Sequence, residues 1–302
     1  MTIPSYLRPG DTIGLVCPAG FMLPEKWQTC MEQLQQWGYK IKLGKTMHSS
    51  STNYFSGTDE ERLADLQAML DDRSLKAILC GRGGYGISRI IDKVNFKQFA
   101  KHPKWVIGFS DITVLHACIN RHLKIATLHA PMAGAFNDEG YSLPYVQSLR
   151  SALQGRKAKY KTQPHHFNQP GTATAPVVGG NLSLVAHLVG TPSAYKTKGR
   201  ILFLEDVGEY LYNIDRMFIQ LKRAGVFDGL AGLIIGGFTD NKDTERPFGK
   251  TAYEIIREHF QEYKYPICFD FPISHAIENY AIKVGATYQL KVSPKTVRLD
   301  EA

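Results

Sequence analysis

Short apolar runs alternate along this chain with stretches in which apolar residues recur three and four apart. The stretch 11–20, a strand closed by a Pro/Gly loop, the alternating stretch 39–43, and Leu75 to Cys80 read as strands. Residues 24–37 put Trp27, Met31, Leu34 and Trp37 on one helical face, and Gly38 stops that helix. A second helix opens at Thr58, where Thr58 and Glu61 have the spacing of a capping box; Leu63, Leu66, Met69 and Leu70 form its apolar face. A helix from Ile87 to Val94 follows. Then come a buried strand at 105–107, helical spacing through Ile112, Leu115 and Ile119, a short strand at 124–128 and a helix over 141–153. Strand and helix alternating this regularly predict an α/β fold on a parallel sheet.

Residues 155–172 break the pattern: they are polar, carry Gly155, Pro170 and Gly171, and read as a linker between an N-terminal domain, 1–154, and a C-terminal domain, 173–302. Beyond it, strands are expected at 201–204, 230–235 and 266–271, with helices at 182–189, 214–223 and 251–260. The tail, 281–292 and 296–299, alternates about a turn at Ser293-Pro294, as strands packed at one side would.

Composition narrows the function classes. The 302 residues are 43% hydrophobic, with no run as long as a membrane span and no basic-then-apolar start, which reads as a soluble, cytoplasmic protein with no membrane partner. The five cysteines lack C-x-x-C spacing, so neither a disulfide frame nor a zinc site is expected. A net charge of +8 suits acidic ligands, but no dense basic run with interleaved aromatics points to nucleic acid.

Two loops carry candidate chemistry. In Gly108-Phe109-Ser110-Asp111 a strand meets a helix at Ser110. Such a turn lifts a serine clear of a sheet and offers the Asp111 backbone N–H to a developing oxyanion, although a serine capping a helix is the commoner use of the position. Gly81-Arg82-Gly83-Gly84-Tyr85-Gly86 fits G-x-G-x-x-G between a strand and a helix. It reads either as a dinucleotide site or as a loop whose glycine N–H groups supply a second oxyanion donor. A serine nucleophile needs a base and the base an orienting acid. Of ten histidines, His275 lies just past a strand end, where catalytic groups gather in α/β folds; Glu205 ends a buried strand, with Asp206 and Asp270 as rival acids. Arg82, Arg216 and Asn181 are candidates to hold a substrate carboxylate; a surface ion pair for the arginines and a helix cap for Asn181 are the blander readings.

Five ordered motifs, 81–86, 108–113, 179–184, 204–209 and 271–275, together resemble the LD-carboxypeptidases, the serine peptidase family containing muramoyltetrapeptide carboxypeptidase and the microcin C immunity peptidase. The resemblance runs from about Gly10 to Val292. It implies an N-terminal domain like class I glutamine amidotransferases, a smaller C-terminal β/α domain, and an active site between them. It implies Ser110 as nucleophile, His275 as base, Glu205 as orienting acid, and oxyanion donors at the backbones of Asp111 and Gly84. It also implies a homodimer, no metal or other cofactor, and a murein tetrapeptide losing its terminal D-alanine in peptidoglycan recycling. Ser274 and Ala276 stand where glycines commonly flank the family histidine, and Ala130 replaces a glycine in His129-Ala130-Pro131. The alternatives are a peptidase acting on a peptidyl-nucleotide antibiotic, a dinucleotide-binding protein using Gly81 to Gly86, and a catalytically silent peptide-binding module.

Overall fold

The apolar runs of the first half assemble side by side. In a computed structural model describing residues 1–302, β1 (Thr12–Val16), β2 (Lys40–Leu43), β3 (Leu75–Cys80), β4 (Trp105–Gly108) and β5 (Thr127–His129) form a parallel sheet. β4 is buried at every position and β3 at all but one, which is why they read as continuous apolar runs and not as alternating ones. Helices α1 (Gln28–Gln36), α2 (Asp59–Asp71), α3 (Ile87–Ile90), α4 (Lys97–Lys101), α5 (Thr113–Leu123) and α6 (Pro144–Leu153) fill the connections. The chain divides into two compact units, the first being Met1–Arg156 with Tyr280–Val284. Parallel strands joined by helical crossovers are the α/β architecture expected.

The expected 24–37 helix is split: a 3-10 turn, Pro24–Lys26, precedes α1, and Trp27 separates the two. The helix after Gly86 keeps only one α turn before tightening to 3-10 at Ile91–Lys93. Thr58 caps α2 with the reciprocal Glu61 bonds of a capping box. The buried face of α2 is rotated from the expected one: Arg62 and Asp65 are buried with Leu66, Met69 and Leu70, while Leu63 is only half-buried.

The second unit is Lys157–Asn279 with Gly285–Ala302. Its seven-stranded sheet runs β10-β9-β8-β7-β12-β13-β6. The strands are β6 (Lys159–Thr162), β7 (Gly171–Asn181), β8 (Ile201–Val207), β9 (Gly232–Thr239), β10 (Ile267–Cys268), β12 (Thr287–Val292) and β13 (Val297–Glu301); β11 (Ile282–Val284) belongs to the first sheet. β7 serves both halves of this sheet. Its first part pairs antiparallel with β12 and its last part, Val177 to Asn181, pairs parallel with β8. Helices α7 (Leu182–His187), α8 (Leu211–Arg223) and α9 (Ala252–Glu258) follow β7, β8 and β9, and pack an apolar core that includes Leu182, Phe218 and Ile256. Within 155–172, Lys159 to Thr162 pair with β13 and Gly171 already begins β7.

Two expectations about the second half are corrected. The 266–271 strand shortens to Ile267–Cys268, because Asp270 takes a φ of +56° that no strand accommodates; the Tyr253 hydroxyl donates to its Oδ1 (2.9 Å). The 281–292 strand breaks at Gly285, with φ +94°. Its first piece, β11, pairs antiparallel with β5 in the first sheet, and only its second piece joins the second sheet. No helix is long and apolar enough to cross a membrane.

Candidate active site

β4 delivers the chain to Phe109, still extended, and Ser110 then turns with a φ of +62° before the 3-10 turn Ser110–Ile112 leads into α5. A left-handed conformation at a non-glycine residue is strained and persists only where its surroundings hold it. His116, one turn into α5, does part of the holding: it is fully buried and its Nε2 lies 2.8 Å from the Gly108 carbonyl. Burial pulls the His116 pKa down to about 4, so the ring is neutral and donates to that carbonyl at the strand end.

The glycine loop after β3 lies directly against this turn. A Cβ at Gly83 would come within 2.9 Å of Ser110 Cβ and 3.3 Å of the Asp111 nitrogen, so no other residue fits there. Gly84, the expected donor, is the next residue and takes a φ of +94°. The loop is laced to its neighbours. Gly81 N–H donates to Val16 O (2.8 Å) and Gly20 N–H to Gly83 O (3.0 Å). The buried guanidinium of Arg62 donates to Pro18 O (2.8 Å) and Gly86 O (3.0 Å). Arg62 escaped the sequence reading; the available signal was an arginine in line with Leu66 and Met69, on the stripe that faces the sheet.

The dinucleotide alternative loses its anchor here. A pyrophosphate would sit on the first free N–H of the helix after the loop. That N–H, of Ile87, donates to Asp111 Oδ2 (2.8 Å), and α3 is only four residues long.

In the second unit, β8 carries Glu205 and Asp206 to its C-terminal end, where its register with β9 shifts between Leu204 and Asp206. Glu205 is fully buried, and its Oε2 accepts a hydrogen bond from His275 Nδ1 at 2.6 Å. The His275 loop reaches this depth because β9 carries Gly236 and Gly237 towards its C-terminal end. A side chain at Gly236 would collide with the Ile273 carbonyl, and one at Gly237 with Ser274 Cβ (2.5 Å). The loop is fixed by Gly237 N–H to Ile273 O (2.9 Å) and by the Ser274 hydroxyl, which donates to Glu278 O (2.9 Å) and accepts from Ala276 N–H (3.0 Å). Burial lowers the His275 pKa, but the Glu205 charge and hydrogen bond, with a contribution from Asp206, outweigh it and leave the imidazole above its ordinary value. With Nδ1–H committed to the carboxylate, Nε2 is the basic nitrogen of the ring.

The rival acids have other partners. Asp206 accepts from Asn181 Nδ2 (2.7 Å), Ser183 N–H (2.9 Å) and Val207 N–H (2.9 Å), and its pKa rises to about 7 through burial and the Glu205 charge. Asp270 accepts from the Tyr253 hydroxyl. Asn181 caps α7 through its carbonyl, which accepts from Leu184 N–H (3.2 Å), while its amide rests on Asp206. Arg82 is exposed and donates to Phe21 O (2.7 Å); Arg216 is exposed and stacks on Tyr212, 5.2 Å from the ring centre.

Both sheets present these groups at the C-terminal ends of parallel strands, where α/β enzymes build their sites. Residues 13–130 match the LD-carboxypeptidase N-terminal domain and residues 174–290 the LD-carboxypeptidase C-terminal domain, which makes the protein a peptidase by class. It is 34% identical to the probable murein peptide carboxypeptidase of Bacillus subtilis, over 98% of this chain and 94% of that one. It is 29% identical to the murein tetrapeptide carboxypeptidase of Pseudomonas aeruginosa, over 92% of each. Its fold matches the crystal structure of muramoyltetrapeptide carboxypeptidase from Oxalobacter formigenes with a TM-score of 0.87, at 23% identity, over 96% of this chain and 98% of that one. The chain belongs to the LD-carboxypeptidase family.

Proposed function

We propose that the protein is a serine LD-carboxypeptidase that removes the terminal D-alanine of a murein tetrapeptide by cutting the amide between an L-centre and that D-residue. The observation that carries this reading is the Glu205–His275 pair, a buried carboxylate committed to Nδ1 of a histidine whose other nitrogen is basic. The Ser110 turn supports it, since a strained strand-to-helix turn presents a hydroxyl in the way a nucleophile requires. The names of the relatives from Bacillus and Pseudomonas support the murein substrate.

In this mechanism His275 Nε2 takes the Ser110 proton as Oγ attacks the carbonyl of the L-centre. The oxyanion is met by the N–H groups of Asp111 and Gly84. The imidazolium, stabilised by Glu205, gives its proton to the departing D-alanine amine. Water, deprotonated by the same imidazole, then releases the tripeptide from the acyl-enzyme. The reading also makes the protein a cytoplasmic homodimer of peptidoglycan recycling that works without a metal; the family resemblance is the support for each of these points.

The deciding measurement is D-alanine release from L-Ala-γ-D-Glu-meso-diaminopimelyl-D-Ala by wild type and Ser110→Ala, with and without a chelator. Wild type should release D-alanine whether or not chelator is present. The variant should lose about 10⁴-fold or more in kcat. No release by folded wild type removes the murein substrate, and equal release by Ser110→Ala removes the nucleophile.

A further inference from the structure

We infer that the side chain of Asp111 is a positioning residue that clamps the Gly81–Gly86 loop onto the nucleophile turn. The inference deepens the proposed function, which uses Asp111 only through its backbone, and it rests on that reading for its catalytic consequence.

Asp111 follows Ser110 directly, is fully buried, and its carboxylate crosses to the next strand-to-helix connection. There Oδ2 accepts the N–H of Ile87 (2.8 Å), the first residue of α3. The other bonds on the loop run elsewhere. Gly81 is held by Val16, Gly83 by Gly20, and Gly86 by Arg62. The Asp111 carboxylate is therefore the side-chain link between the glycine loop and the Ser110 turn.

Packing gives that link its consequence. A Cβ at Gly83 would collide with Ser110 and crowd the Asp111 nitrogen, so the two segments run close beside each other at the nucleophile turn. Dispersion contact alone lets the segments slide, whereas a buried charge-assisted hydrogen bond sets their register. Gly84 lies between the Gly83 contact and the Ile87 bond and has no side chain to hold its place. The carboxylate faces the backbone N–H groups where the loop enters α3, and Oδ1 takes no further hydrogen bond. Burial is the dominant influence on this group and raises its pKa to about 6; the Ile87 N–H, the Arg62 charge and the Gly86 N–H act against it. A buried carboxylate placed at this cost, on the backbone N–H groups at the end of one loop, fits a positional role.

The experiment compares Asp111→Ala and Asp111→Asn in the full chain. Asparagine keeps an oxygen to accept from Ile87 but leaves its amide unpaired, so both variants should melt at lower temperature than wild type. Amide hydrogen exchange across 81–87 should quicken in Asp111→Ala and stay slow in Asp111→Asn. Tetrapeptide hydrolysis should follow the same split. Asp111→Ala should lose about 10²-fold in kcat with KM within about threefold, the scale of one misplaced oxyanion donor, and Asp111→Asn should recover most of that loss. Slow exchange retained by Asp111→Ala, or equal kcat losses in both variants, would overturn the clamp. The exchange measurement decides the clamp even if wild type fails to hydrolyse the tetrapeptide, an outcome that would count against the proposed function instead.

Discussion

At the scale of single residues, His275 is held by opposing influences of known sign. Burial favours the neutral ring, while the Glu205 carboxylate 2.6 Å away, and Asp206 behind it, favour the charged one, and the second influence wins. In the proposed mechanism His275 is the general base and works only when neutral, so the acid limb of kcat/KM should lie above pH 6.5, the ordinary value for histidine. Glu205→Gln removes the charge and keeps the shape. It should cost about 10² to 10⁴-fold in kcat and move the acid limb to lower pH, read from pH–rate profiles of the two proteins. The stability consequence has the same origin. A histidine whose folded pKa lies above its unfolded one adds stability that is fully present below about pH 6.5 and is lost as pH rises through the folded value. Glu205→Gln should therefore lose most stability on the acid side of that transition. An acid limb that stays put in Glu205→Gln would show that another group titrates. Much of this arrangement was legible beforehand, because Glu205 ends a buried apolar run and His275 follows another. The Ile87–Asp111 bond was not, since nothing in the order of residues tells which carboxylate will meet which loop.

At the scale of elements, α2 shows what a sequence displays and what it conceals. Its start was visible, because a capping box needs two residues three apart, and Thr58→Ala should cost about 1 kcal/mol. Its end was not. Lys104, at the threshold of β4, is buried and donates its ammonium to the carbonyls of Met69 (3.2 Å), Leu70 (3.0 Å) and Asp72, completing the C-terminus of a helix more than thirty residues upstream. A lysine before an apolar strand looks like any solvated charge until the tertiary fold is known. Lys104→Met keeps the aliphatic stem and removes the donor. The carbonyls left without it should lower unfolding free energy by about 1–3 kcal/mol in urea titrations, with no change in KM for the tetrapeptide. A loss no larger than that of an exposed lysine would mean that water replaces the ammonium there. The rotated face of α2 teaches the same lesson. Counting apolar positions includes Leu63, but the helix turns Arg62 inward because its guanidinium has carbonyls of two loops to satisfy.

At the scale of the whole molecule, the chain's least expected step is the return of β11 to the first sheet. Three residues, Ile282 to Val284, pair with β5 at the sheet's edge, more than 150 positions after that strand. A three-residue strand carries too little periodicity to declare its sheet, and the alternation of 281–292 continues smoothly into β12, so both pieces read as one element. The neighbours of β11 show why it belongs to the first unit. Ala281 N–H donates to the Ser148 hydroxyl (2.9 Å), and Lys283, buried, lies 3.3 Å from the Tyr6 hydroxyl and over its ring. Tyr6 in turn stacks on Trp105 at the start of β4, the strand that leads to Ser110. The N-terminal sheet is thus closed on its β5 side by the far end of the chain. Without β11, β5 would present unpaired backbone groups in a strand whose three residues are all buried, a surface that invites aggregation. A fragment ending at Arg156 should therefore associate at micromolar concentration and unfold at lower urea than the same fragment with residues 280–284 joined by a flexible linker. Size-exclusion chromatography and urea titration of the two fragments make the comparison. Matching elution and matching midpoints would mean that β11 merely lies on a sheet that is stable without it.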